Sequence, residues 1–255
     1  MLDIKDVGHV YSDGHAAIRG VRLQVAAGEL VSIVGPSGCG KSTLLRCVAG
    51  LLRPAEGRIA LDGRPVKGVP DDLAFVFQDY GRSLYPWLTI RDNVALPLRR
   101  RGLDRRQRRA AAQEALAQVG LAGAGRKHPM QLSGGMQQRV AIARALAYQP
   151  RLLLMDEPFG SVDAQAREDL EDLLLRVREA SPGMTILLVT HDIDESVYVG
   201  DRVVVLSGAP GAVRADLPVD LPGPREQIAT RELPAFVHLR AEVGRLVRES
   251  GQPAQ

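Results

Sequence analysis

The segment Gly35–Ser42 has the residue pattern of a loop that binds a phosphate chain. It fits G-x-x-x-x-G-K-[ST] and lies between an apolar run that ends at Val34 and a helical run from Leu44. Glycine lets the backbone curl around phosphate oxygens, and the N–H groups of a helix start attract the same anion. We expect Lys41 to reach the β and γ phosphates and Ser42 to bind Mg²⁺, although a glycine-rich turn without a ligand would use similar residues. The residues expected to contact this ligand are Gly35, Pro36, Ser37, Gly38, Cys39, Gly40, Lys41, Ser42 and Thr43.

Two adjacent acids, Asp156 and Glu157, follow the apolar run Leu152–Met155. The carboxyl ends of strands are where ligands lie in open α/β sheets, and adjacent side chains point in different directions. We therefore expect Asp156 to face Mg²⁺ and Glu157 to polarise or deprotonate a water in line with the γ phosphate. Alone, such a pair is more often a polar strand end, so its weight depends on the phosphate loop.

His191 follows the apolar run Thr185–Val189 in the same way, one residue beyond Thr190. An imidazole at this edge could form a hydrogen bond with the γ phosphate and sense its presence. A surface or capping histidine is the alternative.

The segment Leu132–Arg139 predicts a second helix start that can bind an anion. Ser133 is a good N-cap, and Gly134 and Gly135 leave the first N–H groups of the helix unobstructed. One chain thus carries two candidate sites for a single triphosphate.

Short β-rich runs alternate with helical patterns, which predicts an α/β fold with a mainly parallel sheet. The expected parallel strands are Leu30–Val34, Leu152–Met155, Thr185–Val189 and Val203–Leu206. Residues 2–28 and 57–77 have shorter, turn-punctuated runs, which favours an antiparallel β flank. Residues 90–149 are rich in Ala, Leu, Gln and Arg and predict an all-helical insertion. We expect one domain over residues 1–255, with a core at 1–89 and 150–208, a helical subdomain at 90–149 and a tail at 209–255.

The tail contains five prolines between Ala209 and Pro234, which predicts an irregular segment. Beyond it, Phe236, Leu239, Val243 and Leu246 recur at helical intervals and predict a short amphipathic helix.

The composition places the chain among ordinary globular proteins. Hydrophobic residues make up 45% and charged residues 25%, which argues against disorder and a fibrous repeat. No strictly apolar run exceeds the five residues Leu73–Phe77, so we expect no membrane-spanning helix. The acidic start Met1–Asp6 predicts no signal peptide, and two cysteines are too few for a disulfide framework. These features favour the cytosol.

The phosphate loop, the paired acids, the segment Leu132–Arg139, Ser161–Asp163 and His191 occur in an order that resembles ATP-binding-cassette ATPases, a family with a P-loop NTPase core. The resemblance covers nearly the whole chain and implies MgATP hydrolysis by a dimer. In that family Ser133, Gly134 and Gly135 would contact ATP on the other subunit. One departure is Met136, where the most common family pattern has glutamine.

The same resemblance implies roles for three further residues. Gln78 would touch Mg²⁺ and the attacking water, Tyr11 would stack on adenine, and Asp163 would cross the dimer seam. Without the family pattern, Gln78 would be a strand-end amide and Tyr11 a half-buried strand residue.

Residues 79–90 contain the single tryptophan of the chain, Trp87, beside other aromatic residues. Such a loop suits docking of a partner helix, although packing on its own insertion is the alternative. Together with residues 207–211 and 220–225, it is similar to ATPase subunits of nitrate, sulfonate and taurine importers. The resemblance implies a second ATPase subunit, permease subunits at 79–90, indirect work with an extracytoplasmic solute-binding protein, and the cytoplasmic face of the inner membrane.

Seven arginines are clustered between residues 99 and 109, and their ligand has more than one interpretation. The members of this cluster are Arg99, Arg100, Arg101, Arg105, Arg106, Arg108 and Arg109. It could bind nucleic acid, as in cassette ATPases that act on DNA or ribosomes, or anionic lipid. We expect a solvated helix face near the membrane and no nucleic-acid partner. A regulatory nucleotide-binding module without turnover is the other class of function, and Glu157 with His191 argues against it.

Overall fold

Strands and helices alternate along the chain. A computed structural model describes residues 1–160 and 162–251, and for Tyr80 and Arg82 it describes the backbone alone. The strands are β1 (Leu2–Val10), β2 (Ala16–Val25), β3 (Leu30–Val34), β4 (Glu56–Leu61), β5 (Arg64–Pro65), β6 (Leu73–Val76), β7 (Leu152–Asp156), β8 (Thr185–Val189), β9 (Arg202–Leu206) and β10 (Val213–Pro218). The α-helices are α1 (Lys41–Val48), α2 (Tyr80–Ser83), α3 (Ile90–Ala95), α4 (Arg105–Gln118), α5 (Gly134–Ala147), α6 (Ala164–Ala180), α7 (Ile193–Val199), α8 (Gln227–Glu232) and α9 (Pro234–Ser250). Short 3₁₀ turns cover Pro97–Arg101, Ala122–Ala124 and Pro129–Gln131.

The larger sheet has the strand order β10-β9-β3-β8-β7-β6. All neighbouring pairs are parallel except β10 with β9. Because parallel strands end at the same edge, the segments that follow β3, β6, β7 and β8 leave the sheet side by side. These segments contain the phosphate loop, Gln78, Glu157 and His191.

Alternate residues of the main sheet pack into two separate hydrophobic clusters. Leu152 and Leu154 of β7 pack with α1 and the smaller sheet, whose order is β2-β1-β4-β5. Leu153 and Met155 of the same strand face the other side, where the helical insertion, α6, α7 and α9 lie. The sheet is therefore covered on both faces, as its continuous apolar strands require.

Residues 90–149 contain helices and turns and no strand. Side chains of Thr89, Asp104 and Ser133 accept hydrogen bonds from the first turns of α3, α4 and α5, which explains where these helices begin. The predicted α/β class, with its mainly parallel sheet, antiparallel flank and helical insertion, is confirmed. Helix α2 begins the helical region earlier than expected.

The prediction for residues 57–77 was wrong at its end. Leu73–Val76 forms β6, which pairs parallel with β7 in the main sheet, and Phe77 lies beyond the strand. Leu73 and Val76 are buried against both faces of the sheet, so tertiary burial decides the placement. A four-residue apolar run does not by itself reveal the direction of its partner.

The prediction of an irregular segment between Ala209 and Pro234 was also wrong. It contains β10 and α8, and the following helix α9 extends to Ser250. β10 lies at the edge of the sheet and ends with Pro218, a position where the missing N–H of proline costs no hydrogen bond within the sheet.

Across residues 1–160 and 162–251, no helix has the length and apolarity that crossing a bilayer requires.

A carboxylate without a full set of partners is buried where α7 packs on α6. Glu195 is 3% exposed, and its Oε1 atom has no hydrogen-bond partner among the described residues. Burial raises the pKa of Glu195 well above its ordinary value, and the charges of Glu171 and Asp192 raise it further. A hydrogen bond with the Thr190 side chain and the charge of Arg167 oppose this rise, but Arg167 forms its ion pair of 2.8 Å with Asp192.

The substitution Glu195→Gln should stabilise the fold increasingly as the pH rises. The raised pKa means that the folded state binds a proton that the unfolded state releases above about pH 4.5, so the wild type loses stability from there upward. We expect the free energy of unfolding of the variant to exceed that of the wild type by on the order of 1 kcal/mol at neutral pH. Urea titrations at several pH values measure this difference.

The matched control is Glu179→Gln, which removes an exposed carboxylate from α6. Its stability curve should follow that of the wild type. A constant difference between Glu195→Gln and the wild type from acid to neutral pH would contradict the expectation.

Candidate active site

The phosphate loop connects β3 to α1 and encloses the ammonium group of Lys41. The Nζ atom donates hydrogen bonds to the carbonyl oxygens of Gly35 at 2.8 Å and Pro36 at 3.0 Å. The side chain is 7% exposed, so little water screens its charge. The Nζ atom also lies 3.9 Å from the Sγ atom of Cys39. A buried cation that is held by two neutral carbonyls and a thiol favours an anionic ligand at this loop.

Helix α1 begins without a side-chain cap. Its N-cap residue is Gly40, whereas Asp104, Ser133 and Asp163 cap α4, α5 and α6 with their side chains. The first N–H groups of α1 have no partner within the helix and remain available to an anion. Gly40 has φ of 91°, and a Cβ atom there would lie 2.5 Å from the carbonyl oxygen of Ala17. No other residue fits this position.

The hydroxyl oxygen of Ser42 and a carboxylate oxygen of Asp156 lie side by side at the start of α1. The Ser42 hydroxyl donates a hydrogen bond of 2.9 Å to Oδ1 of Asp156 at the end of β7. Burial raises the pKa of the Asp156 carboxyl, the hydrogen bond from Ser42 lowers it, and the charge of Glu157 raises it. A nearby cation would relieve this cost.

The donor set of this pair suits Mg²⁺. In the described part of the chain, no three His, Cys, Asp or Glu residues are close enough to hold a metal ion. One carboxylate and one hydroxyl can thus hold only a cation that brings most of its ligands along. Mg²⁺ does so, since it keeps waters or phosphate oxygens in proteins.

Glu157 is held in an uncommon backbone conformation next to Asp156. Its φ angle is 46°, and its N–H donates a hydrogen bond of 2.8 Å to the carbonyl oxygen of Val189. This left-handed conformation costs energy for a residue with a side chain and persists where the surroundings fix it. It turns the Glu157 carboxylate away from the carboxylate of Asp156, which bonds to Ser42.

Gln78 and His191 meet at the same carboxylate oxygen. The Nε2 atom of Gln78 donates to Oε2 of Glu157 at 2.8 Å, and Nδ1 of His191 lies 3.3 Å from that oxygen. The Glu157 side chain is 21% exposed and that of His191 is 57% exposed, so water can reach both. The structure thus brings three residues together that are far apart in the sequence.

The segment after His191 is fixed by its own hydrogen bonds. The N–H of Asp192 donates to Oγ1 of buried Thr190 at 3.0 Å, and the Asp192 side chain caps α7. Sequence reasoning did not single out Thr190 or Asp192. An Asp before a helical run is a recognisable capping signal, but its ion pair with Arg167 depends on the packing of α6.

Tyr11 lies beside the phosphate loop. Its hydroxyl shares a hydrogen bond of 2.8 Å with the Thr43 hydroxyl, and the ring meets that of His9 edge-on at a centroid distance of 4.9 Å. The ring is partly exposed. It is therefore accessible to a planar ligand group next to the phosphates.

The residues Ser133, Gly134 and Gly135 lie apart from this constellation. Ser133 and Gly134 are exposed at the start of α5, and a Cβ atom on Gly135 would lie 3.6 Å from Cβ of Ala166 on α6. Asp163 caps α6 and is exposed as well. No hydrogen bond between described residues joins this group to the phosphate loop. Ser161 lies outside the described residues.

The loop at 84–89 exposes two aromatic rings. Trp87 is 71% and Tyr85 is 41% exposed, with ring centroids 5.4 Å apart. The fully buried Asn93 accepts a hydrogen bond from the N–H of Tyr85 and donates to the carbonyl oxygens of Tyr85, Leu88 and Thr89. Sequence reasoning missed Asn93, since an asparagine near a helix start usually indicates the surface.

Residues 207–211 pack against the backbone of the phosphate loop at Cys39. The N–H of Gly211 donates to the carbonyl oxygen of Ala17, and a Cβ atom on Gly211 would lie 2.0 Å from the carbonyl oxygen of Cys39. Only glycine allows this close approach, so this segment contributes to the shape of the loop.

Comparisons with known proteins agree with the fold. The sequence model of the ABC transporter family matches residues 18–160. The chain is 50% identical over 213 residues to the aliphatic sulfonates import ATP-binding protein SsuB 1 of Xanthomonas axonopodis pv. citri, which covers 83% of both chains. It is 44% identical over 232 residues to the bicarbonate transport ATP-binding protein CmpC of Synechococcus elongatus, covering 90% of this chain and 34% of CmpC. It thus spans about a third of the length of that longer relative.

A solved structure has the same architecture. The dimeric post-hydrolysis structure of the ATP-binding cassette MJ0796 bound to ADP and Pi superposes with a TM-score of 0.76. It is 36% identical and covers 86% of this chain and 99% of the other. The family match, the identities and the shared fold show that this chain belongs to the ABC transporter family, as one of its ATP-binding cassettes.

Proposed function

We propose that this chain is the ATP-hydrolysing subunit of a membrane import system, and that it couples binding and hydrolysis of MgATP at a dimer interface to transport of a small solute. The observation that carries the proposal is the Glu157 carboxylate, held between Gln78 and His191 beside the Asp156–Ser42 pair. A binding module without turnover would not need a water-accessible carboxylate in a strained backbone conformation.

The phosphate loop and Tyr11 would hold ATP. The ammonium group of Lys41 can exchange its two carbonyl acceptors for phosphate oxygens, which form stronger, charge-assisted hydrogen bonds. The uncapped N–H groups of α1 add donors to the same phosphates. The backbone from Gly35 to Thr43 would form this cradle, and the partly exposed Tyr11 ring would stack on adenine.

Ser42 and Asp156 would hold the Mg²⁺ ion that accompanies ATP, with Gln78 next to it. When bound, Mg²⁺ neutralises the charge that develops on the phosphate oxygens. Glu157 would accept a proton from the attacking water, and the amide of Gln78 would orient that carboxylate through its hydrogen bond. His191 would donate to the γ phosphate and report whether it is present.

The catalytic pocket would be completed by a second copy of the chain. Ser133 and its glycines are exposed and form no hydrogen bond with the phosphate loop of their own chain in the part that the structure describes. The solved cassette MJ0796 is a dimer with ADP and Pi. We infer that Ser133, Gly134 and Gly135 contact ATP across the interface and that Asp163 lies at the seam.

The division of labour within the chain follows from these roles. Residues 1–89 and 150–208 would bind nucleotide, the subdomain 90–149 would carry the groups that act on the partner, and the tail 209–255 would support the core.

Permease subunits would dock on residues 79–90 at the cytoplasmic face of the inner membrane. The exposed rings of Tyr85 and Trp87 are of the type that anchors protein interfaces, and Asn93 holds their loop rigidly. An extracytoplasmic solute-binding protein would act only indirectly. The relatives named for sulfonates and bicarbonate support a small anion such as nitrate, a sulfonate or a taurine-like solute.

The substitution Glu157→Gln should abolish turnover and preserve binding. The amide keeps the shape of the side chain but cannot accept a proton, so we expect steady-state phosphate release to fall by about 100-fold or more. ATP should remain bound and the dimer closed.

The substitution Lys41→Ala should instead weaken ATP binding itself, as measured by fluorescent-nucleotide titration.

The control for phosphate release is Glu179→Gln, an exposed carboxylate on α6. It should hydrolyse ATP at the wild-type rate. Undiminished hydrolysis by Glu157→Gln would remove Glu157 from its proposed role.

The substitution Ser133→Arg should block dimer closure without affecting ATP binding to the phosphate loop. The large charged side chain would occupy the space of the partner's nucleotide. Size-exclusion chromatography with ATP measures the dimer, and Gln118→Arg adds the same charge at an exposed site of the helical insertion as a control. Persistent ATP-dependent dimers of Ser133→Arg would contradict contact across the interface.

The substitution Trp87→Ala should weaken association with the permease subunits by roughly tenfold or more, because a central aromatic anchor is lost. Co-purification from membranes that carry the neighbouring transport subunits measures this association. Met130→Ala, which removes a side chain that is 85% exposed on the same insertion, should leave it intact. Equal losses in both variants would argue against docking at 79–90.

A further inference from the structure

A cleft of about 390 Å³ separates the 3₁₀ turn Pro97–Arg101 from the start of α4. Its size is in the range of clefts that hold small ligands. Four arginines line it, together with apolar Leu88 and Leu96. The arginines are Arg99, Arg105, Arg108 and Arg109. This arginine cleft is separate from the candidate active site, whose residues do not line it.

Among the residues that the structure describes, the positive charges that line the arginine cleft outnumber the negative ones. One carboxylate, that of Asp92, lines it and lies 3.5 Å from Arg109. Arg99, Arg105 and Arg108 form no ion pair with any residue that the structure describes. Four guanidinium groups thus face a single carboxylate.

The position of these arginines opposes helix stability. Arg105 and Arg108 lie in the first turns of α4, where the positive end of the helix dipole repels cations. Like charges three or four residues apart on one helix also repel each other. Asp104 is the only acid at this helix start, and its side chain already caps the helix. An anion in the cleft would relieve both repulsions.

The arginine cleft adjoins the loop that we assign to the membrane subunits. Leu88 lines it and follows Trp87, which is 71% exposed. Docking of this loop on a permease would bring the cleft close to the membrane surface, and arginine binds phosphate through two parallel hydrogen bonds. The apolar side of the cleft, formed by Leu88 and Leu96, suits a phosphate that is attached to an apolar lipid.

We propose that the arginine cleft binds the phosphate of an anionic phospholipid headgroup at the membrane surface beside the permease. The inference rests on the proposed function in one respect: docking of residues 79–90 on the permease would turn the cleft towards the membrane. A compact cleft of about 390 Å³ fits a single headgroup better than a nucleic acid, which requires an extended basic surface, and the net charge of the chain is only +3.

The test compares vesicles of phosphatidylcholine with and without phosphatidylglycerol in flotation experiments on the full chain. We expect binding only to the vesicles that contain phosphatidylglycerol. The double variant Arg105→Gln/Arg108→Gln should weaken this binding by about 30-fold, because it removes the attraction of two arginines to the anionic surface.

The control Arg100→Gln/Arg106→Gln removes the same charge from two exposed arginines of the same region that do not line the cleft. It should lose distinctly less affinity, because Arg100 and Arg106 do not line the cleft and would not contact the bound phosphate. Equal losses in the two double variants would show a diffuse basic surface and overturn the proposal.

Three further outcomes would also overturn it. Binding of inorganic phosphate in titration calorimetry without vesicle binding would indicate a site for free phosphate. Salt-sensitive nucleic-acid binding in a filter assay that the cleft variant alone loses would indicate a nucleic-acid site. Loss of permease co-purification with vesicle binding unchanged would indicate an acidic segment of the partner.

The vesicle assay contains neither nucleotide nor permease, so its failure is distinguishable from failure of the proposed function. Phosphate release by the wild type and the association lost in Trp87→Ala test the latter independently.

Discussion

The parallel pairing of β3, β8 and β7 is the constraint on which the rest of the site depends. The pairing continues past the strand ends, where the N–H of Thr190 donates to Ile33 at 3.1 Å and that of Glu157 to Val189 at 2.8 Å. These bonds set the depth at which the phosphate loop, Glu157 and His191 leave the sheet. A shift of register by one residue would turn each of Asp156 and Glu157 to the other face of the sheet. Both carboxylates would then lose their partners.

Around this edge, charges are arranged so that the protein alone does not neutralise them. Lys41 is buried against neutral carbonyls, and Asp156 is a buried carboxylate whose partner is a hydroxyl. Both arrangements cost energy in isolation, and the proposed binding of MgATP would offset that cost. The same reasoning applies on the helical insertion, where the arginine cleft holds more positive charge than the chain balances.

The helical insertion presents three different surfaces on one compact set of helices. The start of α5 exposes Ser133, the loop before α3 exposes Trp87, and the start of α4 forms the arginine cleft. Helices α3, α4 and α5 pack on each other through a shared apolar core, and close-packed cores transmit strain. This packing provides a physical link between the proposed dimer interface and the proposed docking loop for the permease.

The sequence by itself determined the elements whose signals are local. Gly40 and Lys41 specify the phosphate loop, Ser133 specifies a helix start, and the apolar run before Asp156 specifies a buried strand. It did not determine that Leu73–Val76 joins the parallel sheet or that β10 forms in a proline-rich tail, because strand partners are chosen by burial between distant segments. Only the tertiary structure placed Gln78 and His191 on one oxygen of Glu157 and left three arginines of the cleft without an ion pair among the described residues. The physical reason is that distances between side chains far apart in the chain depend on packing rather than on local pattern.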